Sequence, residues 1–296
     1  MRNTLKNFKS SKAVKALSLF LTSVLVFSPS GLIAGTLPRG HKVVSGAVSV
    51  RTDGNTMNIT QGSRKAIVNW QSFNIGEQNI VNVIQPDSLG KASMLARVVG
   101  NDPSNILGQL NVDQTLYLVN PNGVYFGANS RVDVGAMFAA STLDISDADF
   151  LAGKDIFSGA SDQAVINRGI INAQAAALIG NKVLNTGTVN ASKQAAMLGT
   201  REVELTNFGA DAKLTVKFGD EKANTAVINS GDIFAGGDAI LFSDGGWTDN
   251  SKGTITAKDA EISGDQVDIL NLGTVNSETL LIDPIGTLVI GADSDD

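Results

Sequence analysis

The chain has 296 residues, of which 43% are hydrophobic and only 5% aromatic, with 31 glycines, no cysteine and a formal net charge of −6. This length allows one large domain or two ordinary ones, each with a buried core. The lack of cysteine excludes a disulfide scaffold, and an acidic chain without a basic stripe is a poor binder of nucleic acid. Abundant glycine with few aromatics favours many short strands and turns over helices.

Residues 1–35 are predicted to be a signal peptide. Five basic residues precede the apolar run "ALSLFLTSVLVF" (16–27), which is short for a bilayer span. Cleavage is expected near Ala34 and Gly35, although the exact bond stays open, and an uncleaved anchor is the alternative. Removal of this segment would change the net charge from −6 to −11. No later stretch is long and apolar enough to stay in a membrane, so the pattern predicts export without permanent membrane insertion.

A tight turn interrupts a strand in the stretch "LVNPNGVYFG" (118–127). Strand-forming residues flank Asn120, Pro121, Asn122 and Gly123, whose order suits the four positions of a type I β-turn. A lone turn of this kind is usually a structural corner, so a functional interpretation depends on its context. Farther along, "ADFLAGKDIF" (148–157) is the strongest helix candidate.

From residue 164 onward a phrase recurs that consists of an apolar pair, Asn, any residue, Gly and a second apolar pair. Its glycines are 18 to 22 residues apart. We expect each Gly to supply a corner with positive φ, and the Asn side chains to hydrogen-bond from one copy to the next. The predicted repeat corners are Asn167, Gly169, Asn185, Gly187, Asn207, Gly209, Asn229, Gly231, Gly253, Asn271 and Gly273.

This repeat predicts an all-β solenoid. A unit of about 20 residues cannot bury its own apolar side and must stack on its neighbours. Leucine-rich repeats need a Leu-spaced consensus that is missing, and propeller blades are about twice as long. A parallel β-helix fits, with three short strands per coil stacked at about 4.8 Å. An open end would expose unpaired edges, so we assign residues 36–90 to an N-terminal β cap, 91–290 to the β-helix and 291–296 to an acidic tail.

Several segments together carry a family resemblance. "NWQSFNIG" (69–76), "ARVVGNDPSNILGQL" (96–110), "LYLVNPNGVYFG" (116–127) and "VDVGAMFAAS" (132–141) resemble the N-terminal secretion domain of filamentous haemagglutinin-like exoproteins, the passengers of two-partner secretion. The resemblance covers nearly all of residues 36–285. It implies a right-handed parallel β-helix with an N-terminal cap, which periplasmic domains of an outer-membrane β-barrel transporter engage after Sec export.

The resemblance also implies a role for the turn. Asn-Pro-Asn-Gly is the hallmark of that family, so Asn120, Pro121, Asn122 and Gly123 become the expected secretion motif, either by contact with the transporter or by nucleating the folding of the first coils. A second, Asn-Pro-Asn-Leu-like motif of many relatives is missing from "QPDSLG" (85–90). The family further implies a monomeric adhesin, secreted or on the surface of a Gram-negative bacterium, with a host-cell protein or glycan as receptor. Relatives usually continue as long filaments, which leaves open a truncated gene, a fragment or a small free-standing member.

A secreted β-helix that binds or cleaves polysaccharide is the alternative, because the fold alone does not exclude catalysis. His41 is the single histidine, so a His-based triad would have one candidate base, in a cap strand. Asp144, Asp147 and Asp149 are typical of solvated turns rather than of a catalytic carboxylate pair. We therefore expect no enzymatic activity, no cofactor and no metal site.

Overall fold

The computed structural model describes residues 36–219, 224–268 and 273–289. The described part is built almost entirely of strands and turns. It has a single-turn 3-10 helix, Asp87–Leu89, and an α-helix, α1, Asp147–Ala152. The strands are β1 Lys42–Ser45, β2 Val48–Asp53, β3 Thr56–Gln61, β4 Lys65–Trp70, β5 Ile80–Ile84, β6 Ser93–Val98, β7 Ser104–Ile106, β8 Gln109–Val112, β9 Thr115–Val119, β10 Val124–Phe126, β11 Arg131–Val134, β12 Met137–Ser141, β13 Asp155–Ser158, β14 Ala164–Asn167, β15 Ile170–Gly180, β16 Lys182–Asn185, β17 Thr188–Gly199, β18 Glu202–Thr206, β19 Thr215–Phe218, β20 Ala226–Asn229, β21 Asp232–Ala235, β22 Asp238–Asp249, β23 Thr254–Thr256, β24 Asp259–Asp268, β25 Thr274–Asn276 and β26 Thr279–Val289.

Three parallel sheets surround one core, and each coil passes through them in turn. Sheet 1 stacks β3, β5, β8, β11, the first parts of β15 and β17, β21, β23 and β25. Sheet 2 stacks β4, β6, β9, β12, the second parts of β15 and β17, and the first parts of β22, β24 and β26. Sheet 3 stacks β7, β10, β14, β16, β20 and the last parts of β22, β24 and β26. The predicted parallel β-helix is confirmed.

Alternation along each strand builds the core. Val81, Leu110, Val132, Ile171 and Val189 lie in register in successive coils of sheet 1, and all are buried. Such columns remove aliphatic surface from water at about 25 cal/mol per Å². Because successive side chains of a strand point to opposite faces, the residues between them point outward and are free to be polar.

Antiparallel strands close the N-terminal end of the solenoid. β1 pairs with β4 and β2 pairs with β3, which covers edges that would otherwise be unpaired. β3 and β4 pair in parallel with β5 and β6. Parallel stacking therefore starts before residue 91, where the sequence places the start of the β-helix. His41 precedes β1 and contacts the buried Trp70, with ring centroids 5.5 Å apart.

A second layer covers the outside of sheet 2. The chain leaves the coils after β12 to form α1 and β13, and again after β17 to form β18 and β19. β13, β18 and β19 make an antiparallel sheet whose apolar side packs on outward residues of sheet 2 such as Tyr117, Ala177 and Leu198. The helix predicted over 148–157 is wrong in its second half, because α1 ends at Gly153, with φ 77, and Asp155–Ser158 is strand β13.

This layer corrects one predicted repeat corner. Asn207 and Gly209 lie in the turn between β18 and β19, with φ of 65 and 77. They match the repeated phrase because a tight turn in the left-handed region favours the same two residue types. They do not stack on the other corners.

The remaining asparagines form a buried ladder at the end of sheet 3. Asn167 Nδ2 donates to Asn185 Oδ1 at 2.8 Å, Asn185 Nδ2 to Asn229 Oδ1 at 2.8 Å, and Asn229 Nδ2 to Asn250 Oδ1 at 2.7 Å. All four residues are fully buried. The sequence pattern did not identify Asn250, because Asn250 lies three residues before Gly253, whereas the other asparagines of the ladder lie two residues before their glycines. Asn271 lies outside the described residues.

The corner glycines serve a different purpose from the predicted one. Gly169, Gly187, Gly231, Gly253 and Gly273 do not adopt positive φ. Instead, the corner backbones stack so closely that a side chain has no room. A Cβ on Gly187 would lie 2.6 Å from the carbonyl carbon of Arg168, and a Cβ on Gly273 would lie 2.7 Å from the carbonyl oxygen of Asn250.

A partly buried carboxylate, that of Asp155, joins the second layer to the β-helix. The Tyr117 hydroxyl donates to Asp155 Oδ1 at 2.8 Å, and Lys65 Nζ donates to the carbonyl oxygens of Phe150 at 2.5 Å and Leu151 at 3.0 Å, at the end of α1. Burial raises the pKa of the Asp155 carboxyl from 3.8 to about 6, although the Tyr117 hydrogen bond and the Lys65 charge oppose this shift.

This raised pKa predicts how stability depends on pH. The folded state binds the Asp155 proton more tightly than the unfolded chain does, so the contribution of Asp155 to the free energy of unfolding is largest below pH 3.8 and falls as the pH rises through about 6. Between about pH 4 and pH 7 we expect wild type to lose on the order of 2–3 kcal/mol relative to Asp155→Asn, measured by urea denaturation. A difference between the two proteins that is the same at both pH values would contradict this expectation.

Candidate functional site

The Asn-Pro-Asn-Gly turn lies at the corner where the third strand of sheet 2, β9, passes into sheet 3 at β10. The Gly123 N–H donates to the Asn120 carbonyl oxygen at 3.0 Å, the hydrogen bond expected of a β-turn. Gly123 has a φ of 112, which a residue with a side chain rarely adopts. The chain therefore changes direction from sheet 2 to sheet 3 within four residues.

Asn120 is the buried anchor of this turn. Its backbone N–H donates to the Ser141 carbonyl oxygen at 2.9 Å. Its side-chain Nδ2 donates to the Asp102 carbonyl oxygen and to Ser104 Oγ, each at 3.0 Å, and its Oδ1 accepts from the Asn122 N–H at 2.9 Å. A fully buried amide needs such partners because an unpaired polar group in the interior is costly. Asn120 thus ties its own coil to both neighbouring coils.

Asn122 and Pro121 form the outer part of the turn. Asn122 is half-buried, and its Nδ2 donates to the Gly100 carbonyl oxygen at 2.8 Å and to Asn120 Oδ1 at 3.1 Å. Pro121 is exposed, and its carbonyl oxygen accepts from Ser161 Oγ at 2.6 Å. The folded turn therefore presents a proline ring and the edge of an amide whose two N–H groups are already in use.

Three successive corners meet at this site. The segment 99–103 lies before the turn and the segment 159–163 lies after it, and both hydrogen-bond to it. Sequence analysis did not identify Asp102 and Ser104 as partners of the motif, although both lie in the segment 96–110 that carries the family resemblance. The signal that could have found them is their distance of about one coil length from the turn, since residues one coil apart stack.

The other predicted site residues lie elsewhere. Except for Asn207 and Gly209, the repeat corners that the structure describes line the boundary of sheets 3 and 1, away from the motif turn. Ala34 and Gly35 lie outside the described residues. Asp144 and Asp147 are ion-paired with Arg97, at 2.8 Å and 2.7 Å, and do not form a free carboxylate pair.

In the part of the chain that the structure describes, no three His, Cys, Asp or Glu side chains group in a way that could hold a metal ion. None of the described helices has the length and apolar character needed to cross a membrane.

Comparisons with known proteins identify the family. A family model described as TPS secretion domain, where TPS denotes two-partner secretion, matches residues 34–276. A heme/hemopexin-binding protein of Haemophilus influenzae strain Rd is 32% identical over 213 residues, 69% of this chain and 23% of the relative. A second Haemophilus influenzae protein of that description is 37% identical over 105 residues, 35% of this chain and 11% of the relative. The chain therefore spans less than a quarter of the length of these relatives.

A solved structure supports the fold. The HMW1 secretion domain from Haemophilus influenzae superposes with a TM-score of 0.68 at 23% sequence identity, over 87% of this chain and 77% of that chain. Exoproteins of the two-partner type are secreted through outer-membrane transporters of Gram-negative bacteria. Because the family match extends over most of the described β-helix, this chain belongs to the TPS secretion domain family, the module that targets an exoprotein to its two-partner secretion transporter.

Proposed function

We propose that the periplasmic domains of the partner transporter recognise this chain while it is extended, and that the Asn-Pro-Asn-Gly turn acts by closing the first coils once they emerge. The proposal rests on one observation: the side-chain hydrogen-bond donors of the turn are already bonded within the folded corner. Asn120 is buried, and both side-chain N–H groups of Asn122 are bonded within the corner. A folded turn of this kind has few free polar groups for a partner, whereas an extended segment can add as a strand to an exposed sheet edge.

The route before and after this step is part of the same proposal. Residues 1–35 direct Sec export, and cleavage occurs near Ala34 and Gly35. The cap, β-helix and acidic tail then form a monomeric, non-enzymatic module of a secreted or surface adhesin. The relatives are named for binding heme/hemopexin. This supports a binding role for the whole exoprotein, with a host-cell protein or glycan as the final receptor.

The test is secretion of Asn122→Ala. The chain is co-expressed with its cognate outer-membrane partner, and mature protein is measured in the culture medium. We expect the variant to reach the medium in smaller amounts and to refold more slowly from urea, because the hydrogen bond to Gly100 no longer closes the corner. Its free energy of unfolding should fall by about 1 kcal/mol or less, since Asn122 is half-exposed.

A matched control separates folding from contact. Asn129 is an exposed asparagine in the turn that follows β10, and Asn129→Ala should be released and should refold like wild type. If Asn122→Ala refolds at the wild-type rate but stays in the periplasm, the turn is a contact site and the folding role is wrong. If wild type appears in the medium without the partner, recognition by the transporter is itself contradicted.

A further inference from the structure

The outer side of sheet 1 carries a row of half-buried polar side chains, one per coil. Asn82 Nδ2 donates to Asn58 Oδ1 at 2.8 Å, and Asn111 Nδ2 donates to Asn82 Oδ1 at 2.9 Å. Farther along, Asn172 Nδ2 donates to Asp133 Oδ1 at 2.7 Å, and Asn190 Nδ2 donates to Asn172 Oδ1 at 2.8 Å. The outward-facing row, called the amide row below, consists of Asn58, Asn82, Asn111, Asp133, Asn172 and Asn190.

The amide row is broken at one place. The amides that follow Asn58 in the row all donate toward the preceding coil, but Asp133, in register with Asn111, is a carboxylate and has no proton to donate. Its Oδ1 accepts from Asn172, and its Oδ2 accepts from Arg131 Nε at 2.6 Å. Among the described residues, Asn111 Oδ1 has no hydrogen-bond donor. Two acceptor groups, Asn111 Oδ1 and the Asp133 carboxylate, therefore occupy adjacent positions of the row with no donor between them, and an outside hydrogen-bond donor can bind at this place.

The surface around the break is an open depression that is accessible from solvent. A shallow open groove of about 460 Å³ runs along it, lined by Asn111, Asp133, Asn172 and Gln174. In the coil after Asn190, the same row position is held by Phe234, which is 41% exposed. Coils stack at about 4.8 Å, so the break and the aromatic ring are separated by about 14–19 Å.

We propose that the part of the amide row from Asn111 to Asn190, together with Phe234, is a binding track for a linear, neutral polysaccharide. Sugar hydroxyls can donate to the two adjacent acceptors, Asn111 Oδ1 and the Asp133 carboxylate, and the apolar face of a sugar ring can stack on Phe234. One polar group per coil suits a polymer with one repeating unit better than a short branched glycan. Arg131 and Asp133 neutralise each other by their ion pair, and Asp113, a second carboxylate that lines the groove, disfavours an anionic polymer.

The test is calorimetric titration of the purified chain with linear neutral hexose oligosaccharides, as disaccharide and pentasaccharide, and with an oligouronate as the charged probe. We expect the pentasaccharide to bind more tightly than the disaccharide and the oligouronate to bind most weakly. Asp133→Asn restores the missing donor and fills the break, while Phe234→Ala removes the platform. Each should weaken pentasaccharide binding about fivefold to tenfold.

The controls for this test are a variant of another aromatic residue and measurements of folding and secretion. Tyr125→Ala removes a half-exposed aromatic ring of sheet 3 and should leave binding unchanged. Circular dichroism and release into the medium should be at wild-type levels for Asp133→Asn and Phe234→Ala, because both residues face outward. The track is overturned if no neutral oligosaccharide binds, if affinity does not rise with chain length, if the oligouronate binds more tightly, or if both variants bind like wild type.

Discussion

Replacing Gly231 by alanine is expected to destabilise the β-helix by about 3 kcal/mol or more, because the corner backbones leave no space for a side chain. A Cβ at this position would overlap the carbonyl oxygen of Gly187 and lie 2.7 Å from the carbonyl carbon of Thr186. Both atoms belong to the stacked backbone of the preceding coil and cannot rotate away. The free energy of unfolding, measured by urea denaturation, should show this loss.

Gly159→Ala is the matched control for this substitution. Gly159 also lacks positive φ, but the nearest atom to its added Cβ, Leu143 Cα, would be 3.5 Å away, an ordinary contact. Its stability should stay within about 1 kcal/mol of wild type. Equal stability of the two variants would show that the stacked corners are not closely packed, and close backbone approach would then fail as the reason for the repeated glycine.

Asn120→Ala is expected to lower the free energy of unfolding by about 2–4 kcal/mol. The substitution removes the donor to Ser104 Oγ and the Asp102 carbonyl oxygen, and it leaves the Asn122 N–H without its acceptor. Ser104 is fully buried, so water cannot replace the lost partner without reorganising the corner. Urea denaturation of the purified variant measures this loss.

The neighbouring asparagine of the same motif provides the comparison. Asn122 is half-exposed, and its alanine variant should lose about 1 kcal/mol or less, so the two asparagines should differ in stability even though both belong to the hallmark turn. If Asn120→Ala is no less stable than Asn122→Ala, the buried hydrogen bonds do not hold the corner. The secretion defect that we expect of Asn122→Ala would then need another cause.

Much of the fold could be predicted because the β-helix is local and periodic. In coils without an inserted layer the corner glycines lie 18 to 22 residues apart, which fixes the coil length, and alternation of apolar residues identifies the inward side. The motif turn was also predictable, since Asn, Pro, Asn and Gly each suit one turn position. The layer over sheet 2 could not be predicted, because β13 pairs with β18 across more than forty residues and no local pattern encodes that pairing.

The sequence by itself therefore determined the solenoid, its coil length and the family, because these follow from residue types that recur at a fixed period. Only the tertiary structure decided which of the two asparagines in the motif turn is buried and which lies at the surface. Asn120 and Asn122 are the same residue type within one turn, but stacking buries the first against Ser104 and leaves the second at the edge. In the same way, Asn207 and Gly209 match the repeat yet lie in the covering layer. A short sequence pattern specifies the local backbone geometry, and the contacts between coils determine where in the fold that geometry lies.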